Sequence, residues 1–160
     1  NITYTIQNPK LTENATFEDV SLFVDDNVGV EYDRLHIGQP YQGGIIIYID
    51  DTGQNGLIAA TADHNGQLNW DDAMSYCNGL TVGQYDDWYL PSTYELNQVY
   101  QMALVNQQFL DGFISDYYWS STLYDNDTNY SWGLSFPDGD QNYIEKPFTQ
   151  PVRAVRGFNE

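Results

Sequence analysis

The pattern of apolar positions along the chain changes from a strand pattern to a helix pattern and back again. Residues 45–49 form a continuous apolar run, which is typical of a strand buried on both faces, and residues 57–61 return as its hairpin partner. Two later segments carry apolar residues three and four positions apart, which predicts helices from about Trp70 to Gly79 and from about Thr93 to Leu104. The predicted inner faces are Trp70, Ala73, Met74 and Cys77 on the first helix and Leu96, Val99, Tyr100 and Ala103 on the second.

Polar residues stand where the predicted helices need caps. Asn69 is placed as the N-cap of the first helix, and Ser92 with Glu95 three residues later forms a capping box at the second. Pro91 pushes the preceding residue toward an extended conformation, so the second helix begins after it. A short third helical turn is predicted over residues 106–114.

Strand patterns return in the last third of the chain. They cover residues 117–124, 130–136, 141–145 and 152–157, with a tight turn at residues 137–140. Strands, two main helices and further strands predict an α+β domain with antiparallel sheets.

Residues 1–36 differ from the rest and are predicted to be an N-terminal arm or the end of a preceding module, with the main domain at residues 37–160. Ile2, Tyr4 and Ile6 alternate as in a short strand, and residues 28–32 suit another. The apolar content is too high for a free linker, which favours an ordered arm. Because the chain begins at Asn1 without Met or a signal peptide, we expect a piece cut from a longer, processed protein.

The charge of the chain limits its partners. The net charge is −18, and between Leu35 and Glu145 there are 15 Asp and Glu residues but no Lys or Arg. Nucleic acids and anionic membrane surfaces attract basic proteins, so neither is an expected partner, and no apolar run approaches the roughly 20 residues of a membrane helix. Cations and cationic or neutral ligands remain compatible. The alternative interpretation is that the acidity only keeps an extracellular protein soluble.

Three motifs occur in a fixed order, at residues 87–96 (DWYLPSTYEL), 118–122 (YWSST) and 152–157 (VRAVRG). A fourth precedes them at residues 37–44 (IGQPYQGG). Together they resemble the C-terminal domain family of the Legionella collagen-like adhesin, which shares D-W-R-L-P-T-x-x-E-L, Y-W-S-S and V-R-C-V-R. The resemblance implies a C-type-lectin-like fold, distantly similar to formylglycine-generating enzymes and variable phage receptor-binding proteins. It also implies a role in ligand binding.

The chain departs from the family pattern at two positions. Tyr89 stands where the family has Arg, which puts in doubt an ion pair there, and Ala154 stands where Cys is common, so a bridge from Cys77 is not expected. Cys77 is the only cysteine and falls at an apolar helix position, which predicts a buried, inert thiol. The residues that carry the resemblance are interpreted as structural: Trp88, Leu90, Pro91, Glu95, Trp119, Ser120 and Ser121.

Carboxylate and amide oxygens on alternate loop residues make Asp125, Asp127 and Asn129 the best metal candidates. Ca²⁺ prefers six to eight such oxygen ligands, so Ca²⁺ is the candidate cofactor. The alternative is a polar hairpin loop whose Asn and Asp residues form their own turns. Asp138 and Asp140 would contribute if their turn folds toward the loop, and Asp50 with Asp51 is a weaker alternative.

The ordinary calcium-bridged sugar site of C-type lectins is absent. Residues 136–138 (FPD) match its Glu-Pro-Asn or Gln-Pro-Asp triplet only in part, and residues 131–133 (SWG) match its Trp-Asn-Asp strand only in part. Glycan binding would therefore depend on exposed aromatic rings and polar groups. The predicted ligand-binding residues are Tyr124, Asn126, Tyr130, Trp132, Asp138, Asp140, Asn142 and Tyr143. For each ring the alternative is core packing or cross-strand pairing.

No enzyme is predicted. His36 and His64 lie far apart without metal-ligand spacing, and Ser120 and Ser121 lack a nucleophile elbow. The formylglycine-generating relatives use two active-site cysteines, and this chain has one.

The sequence therefore predicts a secreted or cell-surface adhesin module that recognises a glycan or a peptide or protein ligand on another cell or surface. A sulfated polyanion is disfavoured, since the only cations near the predicted site are Lys146, Arg153 and Arg156. The alternative is a structural capping or homo-oligomerising domain without a ligand of its own. Exposed rings on one loop face would favour binding, and rings buried at a symmetric contact would favour assembly.

Overall fold

The computed structural model describes residues 34–105 and 112–159. The chain divides between Arg34 and Leu35, and the helices and strands described here belong to the unit that begins at Leu35. The predicted arm, with its strands near Ile2–Ile6 and at residues 28–32, lies outside the described residues apart from its last three positions. The predicted helical turn at residues 106–114 also lies outside them except for residues 112–114, which are not helical.

The described residues form two helices and seven strands. In chain order the elements are β1 (Pro40–Tyr41), β2 (Gly44–Ile49), β3 (Asn55–Ala60), α1 (Trp70–Gly79), α2 (Thr93–Val105), β4 (Tyr117–Leu123), β5 (Tyr130–Ser135), β6 (Gln141–Glu145) and β7 (Val155–Asn159). The strands make two antiparallel sheets, a four-stranded sheet of order β1-β2-β3-β7 and a three-stranded sheet of order β4-β5-β6. The predicted α+β class is thereby confirmed, while the likeness to C-type lectins stays a prediction.

The four-stranded sheet has an apolar core on each face. Ile46 packs in a core with Ala73 and Cys77 of α1, whereas the adjacent Ile47 packs in a core with the inner face of α2. Successive strand residues point to opposite faces, so a strand between two cores must be apolar throughout. The prediction of a doubly buried strand at residues 45–49 is therefore confirmed at its centre.

Both predicted helix caps are present. The side chain of Asn69 accepts a hydrogen bond from Asp72 N at 3.0 Å. At α2, Ser92 N donates to Glu95 Oε2 at 2.8 Å and Glu95 N donates to Ser92 Oγ at 3.3 Å, which completes the capping box. These bonds fix the start of each helix. A further bond, from Thr93 N to the side chain of Thr122, holds the start of α2 beside β4.

The last strand begins later than the sequence predicts. The prediction places it at residues 152–157, whereas β7 starts at Val155. The backbone before it bonds to several different elements: Pro151 O accepts from Trp119 N and Val152 O accepts from His64 N. A segment that bonds to successive partners in this way cannot form a regular ladder, so its alternating pattern overestimates the strand.

Candidate functional site

The structure brings four of the predicted ligand-binding rings together on one surface. Tyr124, Tyr130, Trp132 and Tyr143 form a connected group of aromatic contacts, which we call the aromatic patch. Tyr143 contacts each of the other three rings. It is 45% exposed, and the other three are partly exposed. The patch is thus a continuous aromatic surface open to solvent.

The register of the β5–β6 hairpin sets the patch. Trp132 pairs directly with Tyr143, and Tyr130 pairs with Glu145 two residues along. Directly paired residues of antiparallel strands project to the same face of the sheet. Tyr124 joins them from the end of β4, where its backbone N–H donates to Tyr130 O at 3.1 Å.

The rings of the patch support one another at defined angles. Tyr124 and Tyr143 are stacked, with centroids 4.3 Å apart and planes 14° apart. Trp132 meets Tyr143 at 90° and Tyr124 at 76°, in edge-to-face contacts. Both arrangements are favoured by the ring quadrupole, so the patch is pre-organised before any ligand arrives.

Polar groups hold the edges of the patch. Tyr130 Oη donates to Glu145 Oε1 at 3.1 Å, and this bond, with the nearby negative charge, raises the pKa of Tyr130. Asn126 Nδ2 donates to Tyr124 Oη at 2.9 Å. Tyr130 and Tyr124 are therefore fixed by carboxylate and amide partners that also face solvent.

A shallow groove of about 550 Å³ adjoins the patch at Tyr130. It is lined by Asp71, Asp127, Asn129, Tyr130, Glu145, Lys146 and Pro147. The lining contains three carboxylates and one cation, Lys146. The Nζ of Lys146 lies 4.0 Å from the centroid of the Trp70 ring. The groove therefore suits neutral or cationic groups better than anionic ones.

The predicted metal loop folds as a set of turns. Asp127 Oδ1 accepts from Asn129 N at 2.9 Å and from Asn129 Nδ2 at 2.8 Å, which matches the turn interpretation. Over residues 34–105 and 112–159, no group of three or more His, Cys, Asp or Glu side chains is placed to hold a metal ion. Asp125, Asp127 and Asn129 are all exposed at the end of the patch. Their role in binding Ca²⁺ stays a prediction.

Three predicted ligand-binding residues lie away from the patch. Asp138 and Asp140 belong to the turn between β5 and β6, at the opposite end of β5 from the 125–129 loop. The condition under which they would join Asp125 and Asp127 is therefore not met. Asn142 pairs with Gly133 and so projects from the other face of the sheet than Tyr143, its neighbour in sequence.

The two arginines that the sequence places near the site are buried and paired. Arg153 is 1% exposed, and its Nε donates to Asp63 Oδ1 at 2.5 Å. Arg156 forms a two-point pair with Asp87, at 2.6 and 3.0 Å, which lowers the pKa of that carboxyl. Neither guanidinium is available to a ligand, so the expectation that they are local cations of the site is wrong.

The residues interpreted as structural are buried or part of the α2 cap, except Ser121, which is only partly buried. Trp88 and Trp119 are 2% and 0% exposed, and Trp119 Nε1 donates to Leu68 O. Tyr89, which replaces the family's Arg, donates from its hydroxyl to Glu95 Oε1 at 2.7 Å. A hydrogen bond from a phenol to a carboxylate therefore replaces the ion pair that an Arg at this position could form.

Glu145 and Asp71 were not predicted as parts of the site, and Lys146 was predicted only as a nearby cation. Glu145 carried a usable signal, because the period of two along β6 places it on the face of Tyr143. Asp71 carried none, since it belongs to α1, which only the tertiary fold brings beside this hairpin.

The sequence matches a known family. A model of the Lcl C-terminal domain matches residues 50–156, which is more than half of the chain and includes the aromatic patch. A search of curated proteins finds no match. None of the helices that the structure describes has both the length and the apolar character that a membrane span requires.

Proposed function

The chain belongs to the Lcl C-terminal domain family, and we propose that it is a ligand-binding module of a surface adhesin that holds a neutral glycan against the aromatic patch. The family is associated with adhesins and not with a known enzyme activity. A secreted or cell-surface location and a partner on another cell or surface follow from that role as parts of the proposal.

One observation carries the proposal: a pre-organised set of rings remains exposed although most apolar side chains of the domain are buried. Tyr143 keeps nearly half of its surface in solvent while it stacks on Tyr124. Aromatic rings have a negative face, and the C–H groups of a pyranose carry a slight positive charge, so the two surfaces are complementary. Because the rings are already ordered, binding loses little side-chain entropy.

The polar rim supplies the second requirement of a sugar site, hydrogen-bond acceptors for hydroxyl groups. Glu145, Asp127 and the side chain of Asn126 surround Tyr130 and Tyr124. Carboxylate acceptors form stronger hydrogen bonds than neutral ones. A glycan stacked on the patch can therefore place its next sugar unit in the adjoining groove, where Glu145 and Asp127 accept hydrogen bonds from its hydroxyl groups.

Charge favours a neutral glycan over a sulfated one. The chain carries a net charge of −18, and Arg153 and Arg156 are buried in ion pairs. Lys146 is the cation that lines the groove, opposite three carboxylates. A polyanion would meet repulsion at this surface.

Ca²⁺ assistance remains part of the proposal at the edge of the patch. Asp127 Oδ1 is occupied by two bonds from Asn129, but Asp125 is exposed beside it. A Ca²⁺ ion here would take the side-chain oxygens of the loop as ligands, in place of the hydrogen bonds that Asp127 now accepts from Asn129. It would lie within reach of a sugar hydroxyl held near Tyr124.

A glycan array tests the proposal. The full chain, Tyr143→Ala and the matched control Tyr94→Ala are applied to the same neutral and sulfated glycans, with Ca²⁺ and with a chelator. We expect binding to neutral glycans that Tyr143→Ala loses and Tyr94→Ala keeps, since Tyr94 is also an exposed tyrosine but lies outside the patch. Binding confined to sulfated glycans, or signals that survive Tyr143→Ala, would refute the proposal.

The competing role is structural, with the patch as a contact between copies of the chain. Sedimentation analysis separates the two. A monomer that binds glycans supports the proposal, whereas an oligomer that Tyr143→Ala dissociates, without any glycan signal, supports the structural role.

A further inference from the structure

A second groove lies over the β3–β7 edge of the four-stranded sheet, away from the aromatic patch. Its floor contains Leu57 and Gly157, and its walls are Tyr48 on one side and Tyr94, Glu95 and Gln98 of α2 on the other. Its volume is about 410 Å³. Tyr48 and Tyr94 are 39% and 67% exposed, so their rings border the groove and face solvent.

The groove exists because residue 157 is a glycine. Tyr48, Leu57 and Gly157 form one row across β2, β3 and β7, and their side-chain positions lie on the face that α2 covers. A Cβ on Gly157 would approach no atom closer than Gly56 O, at 3.9 Å. A side chain there would therefore fill the groove without disturbing the fold.

The open edge of β7 borders the groove. Val155 exchanges both backbone hydrogen bonds with Tyr89, at 2.9 and 3.0 Å, so its N–H and C=O point away from β3. Strand backbones alternate, so the N–H and C=O of Gly157 point the same way. Within the described ranges the bridge to Tyr89 is isolated, and no strand continues it opposite Gly157.

The charge of the groove indicates the character of its occupant. Glu95 is the charged side chain of the lining, and neither Lys nor Arg is among the lining residues. Glu95 Oε1 accepts one bond, from Tyr89 Oη, and retains a lone pair. An added group would therefore be neutral or basic.

We propose that this groove binds an extended basic peptide that pairs through its main chain with Gly157, continues the bridge made by Tyr89, and places a Lys or Arg side chain beside Glu95. Strand addition of this kind derives affinity from main-chain hydrogen bonds and selectivity from flanking side chains. Tyr48 lies on β2, two strands away from the β7 edge, so the groove side chains nearest an added strand are those of α2, among them the exposed Tyr94.

The test uses an octapeptide of alternating Thr and Lys, acetylated and amidated, and titrated with the full chain at physiological salt. Its controls are the same peptide N-methylated at every residue, which keeps the charge but lacks N–H donors, and alternating Thr and Glu. We expect the N-methylated and acidic peptides to bind at least tenfold more weakly. Binding should also slow hydrogen exchange at the Gly157 amide.

Gly157→Leu fills the groove and should weaken binding of the Thr-Lys peptide at least tenfold. Gly79→Leu is its matched control, because a Cβ at Gly79 meets nothing within 4 Å and is accommodated as easily as one at Gly157, whose nearest contact is at 3.9 Å. Tyr94→Ala is a second groove variant that leaves the backbone unchanged, and Tyr143→Ala should leave peptide binding as it is. Equal affinity for the N-methylated peptide, or for Gly157→Leu, would reduce the binding to charge attraction and overturn the proposal. The proposal would also be overturned if the Thr-Lys peptide did not bind the parent protein, or if the groove variants lost glycan binding and kept peptide binding.

Discussion

At the scale of single residues, burial decides what each reactive or charged group can do. Arg153 and Arg156 look like surface cations in the sequence, yet each is enclosed and paired with an aspartate far away along the chain. A buried guanidinium must be paired because an isolated charge in the interior is too costly. The partners, Asp63 and Asp87, could not be chosen from the 23 carboxylates of the chain by sequence alone.

Cys77 is the residue for which the sequence interpretation and the structure agree most closely. It is 0% exposed on the inner face of α1, and burial raises its pKa to about 12. Because the thiolate is the nucleophile, we expect a disulfide reagent to modify the native protein far more slowly than the urea-unfolded chain. The labelling rate at pH 8 measures this. Similar rates in the two states would contradict the buried thiol.

The Arg156–Asp87 pair predicts an acid dependence of stability. The folded-state pKa of Asp87 is lowered, so the pair stabilises the fold above the unfolded aspartate pKa of about 4 and loses this contribution as the pH falls through the folded value. Asp87→Asn should therefore lower the free energy of unfolding at pH 7 and flatten its decline below pH 4. Urea titrations across this range, with the exposed neighbour variant Asp86→Asn as control, measure both effects. If the free energy of unfolding declined equally below pH 4 in the parent protein, Asp87→Asn and Asp86→Asn, the stabilising role of the Arg156–Asp87 pair would be contradicted.

At the scale of elements, the period of two in β5 and β6 explains the patch and also the limits of the sequence prediction. It predicts that Tyr130 and Trp132 share a face, and the hairpin register adds Tyr143 to that face. The separation of Asp138 and Asp140 from the 125–129 loop follows from the length of β5, because six residues at about 3.3 Å each divide the two turns. That distance was available from the sequence. The side on which Tyr124 packs was not.

The two classes of tryptophan should respond differently to truncation. Trp88→Ala removes a 2% exposed core side chain and should destabilise the domain by about 3 to 5 kcal/mol. Trp132→Ala removes edge-to-face contacts at a partly exposed surface and should cost about 1 kcal/mol. Denaturant unfolding gives both values, and a loss for Trp132→Ala as large as that for Trp88→Ala would place Trp132 in the core.

The 125–129 loop supplies the prediction for calcium. If Ca²⁺ binds at Asp125, Asp127 and Asn129, it stabilises the native state by mass action. Tm should then rise more with Ca²⁺ than with Mg²⁺, which resists dehydration and needs a tighter octahedral site. Asp127→Ala should remove the difference and, by breaking the turn, cost about 1 kcal/mol without metal. Equal responses to the two ions would leave only screening of the net charge.

At the scale of the whole molecule, the α+β class was predictable because apolar periodicity changes clearly along the chain and both helices carry caps. The arrangement of the two sheets was not predictable. It depends on long-range pairs such as β3 with β7, which leave no local pattern. The second groove was missed for the same reason: Gly157 gives no sign in the sequence that α2 overhangs it.

The net charge of the whole molecule also affects which ligands can bind. With Arg153 and Arg156 buried in ion pairs, the exposed surface is dominated by carboxylates. Such a surface repels polyanions, and this repulsion is screened by salt. Affinity for a neutral glycan should therefore change little with ionic strength.

The most direct measurement is the affinity of the full chain for a neutral glycan selected on the array, determined by calorimetry for the parent protein, Tyr143→Ala and Tyr94→Ala. Because Tyr143 contacts every other ring of the patch, its truncation should weaken binding by about 1 to 3 kcal/mol, a typical loss for a central aromatic anchor. Tyr94→Ala should bind like the parent protein. Unchanged affinity in a folded Tyr143→Ala protein would contradict the assignment of the aromatic patch as the ligand-binding surface.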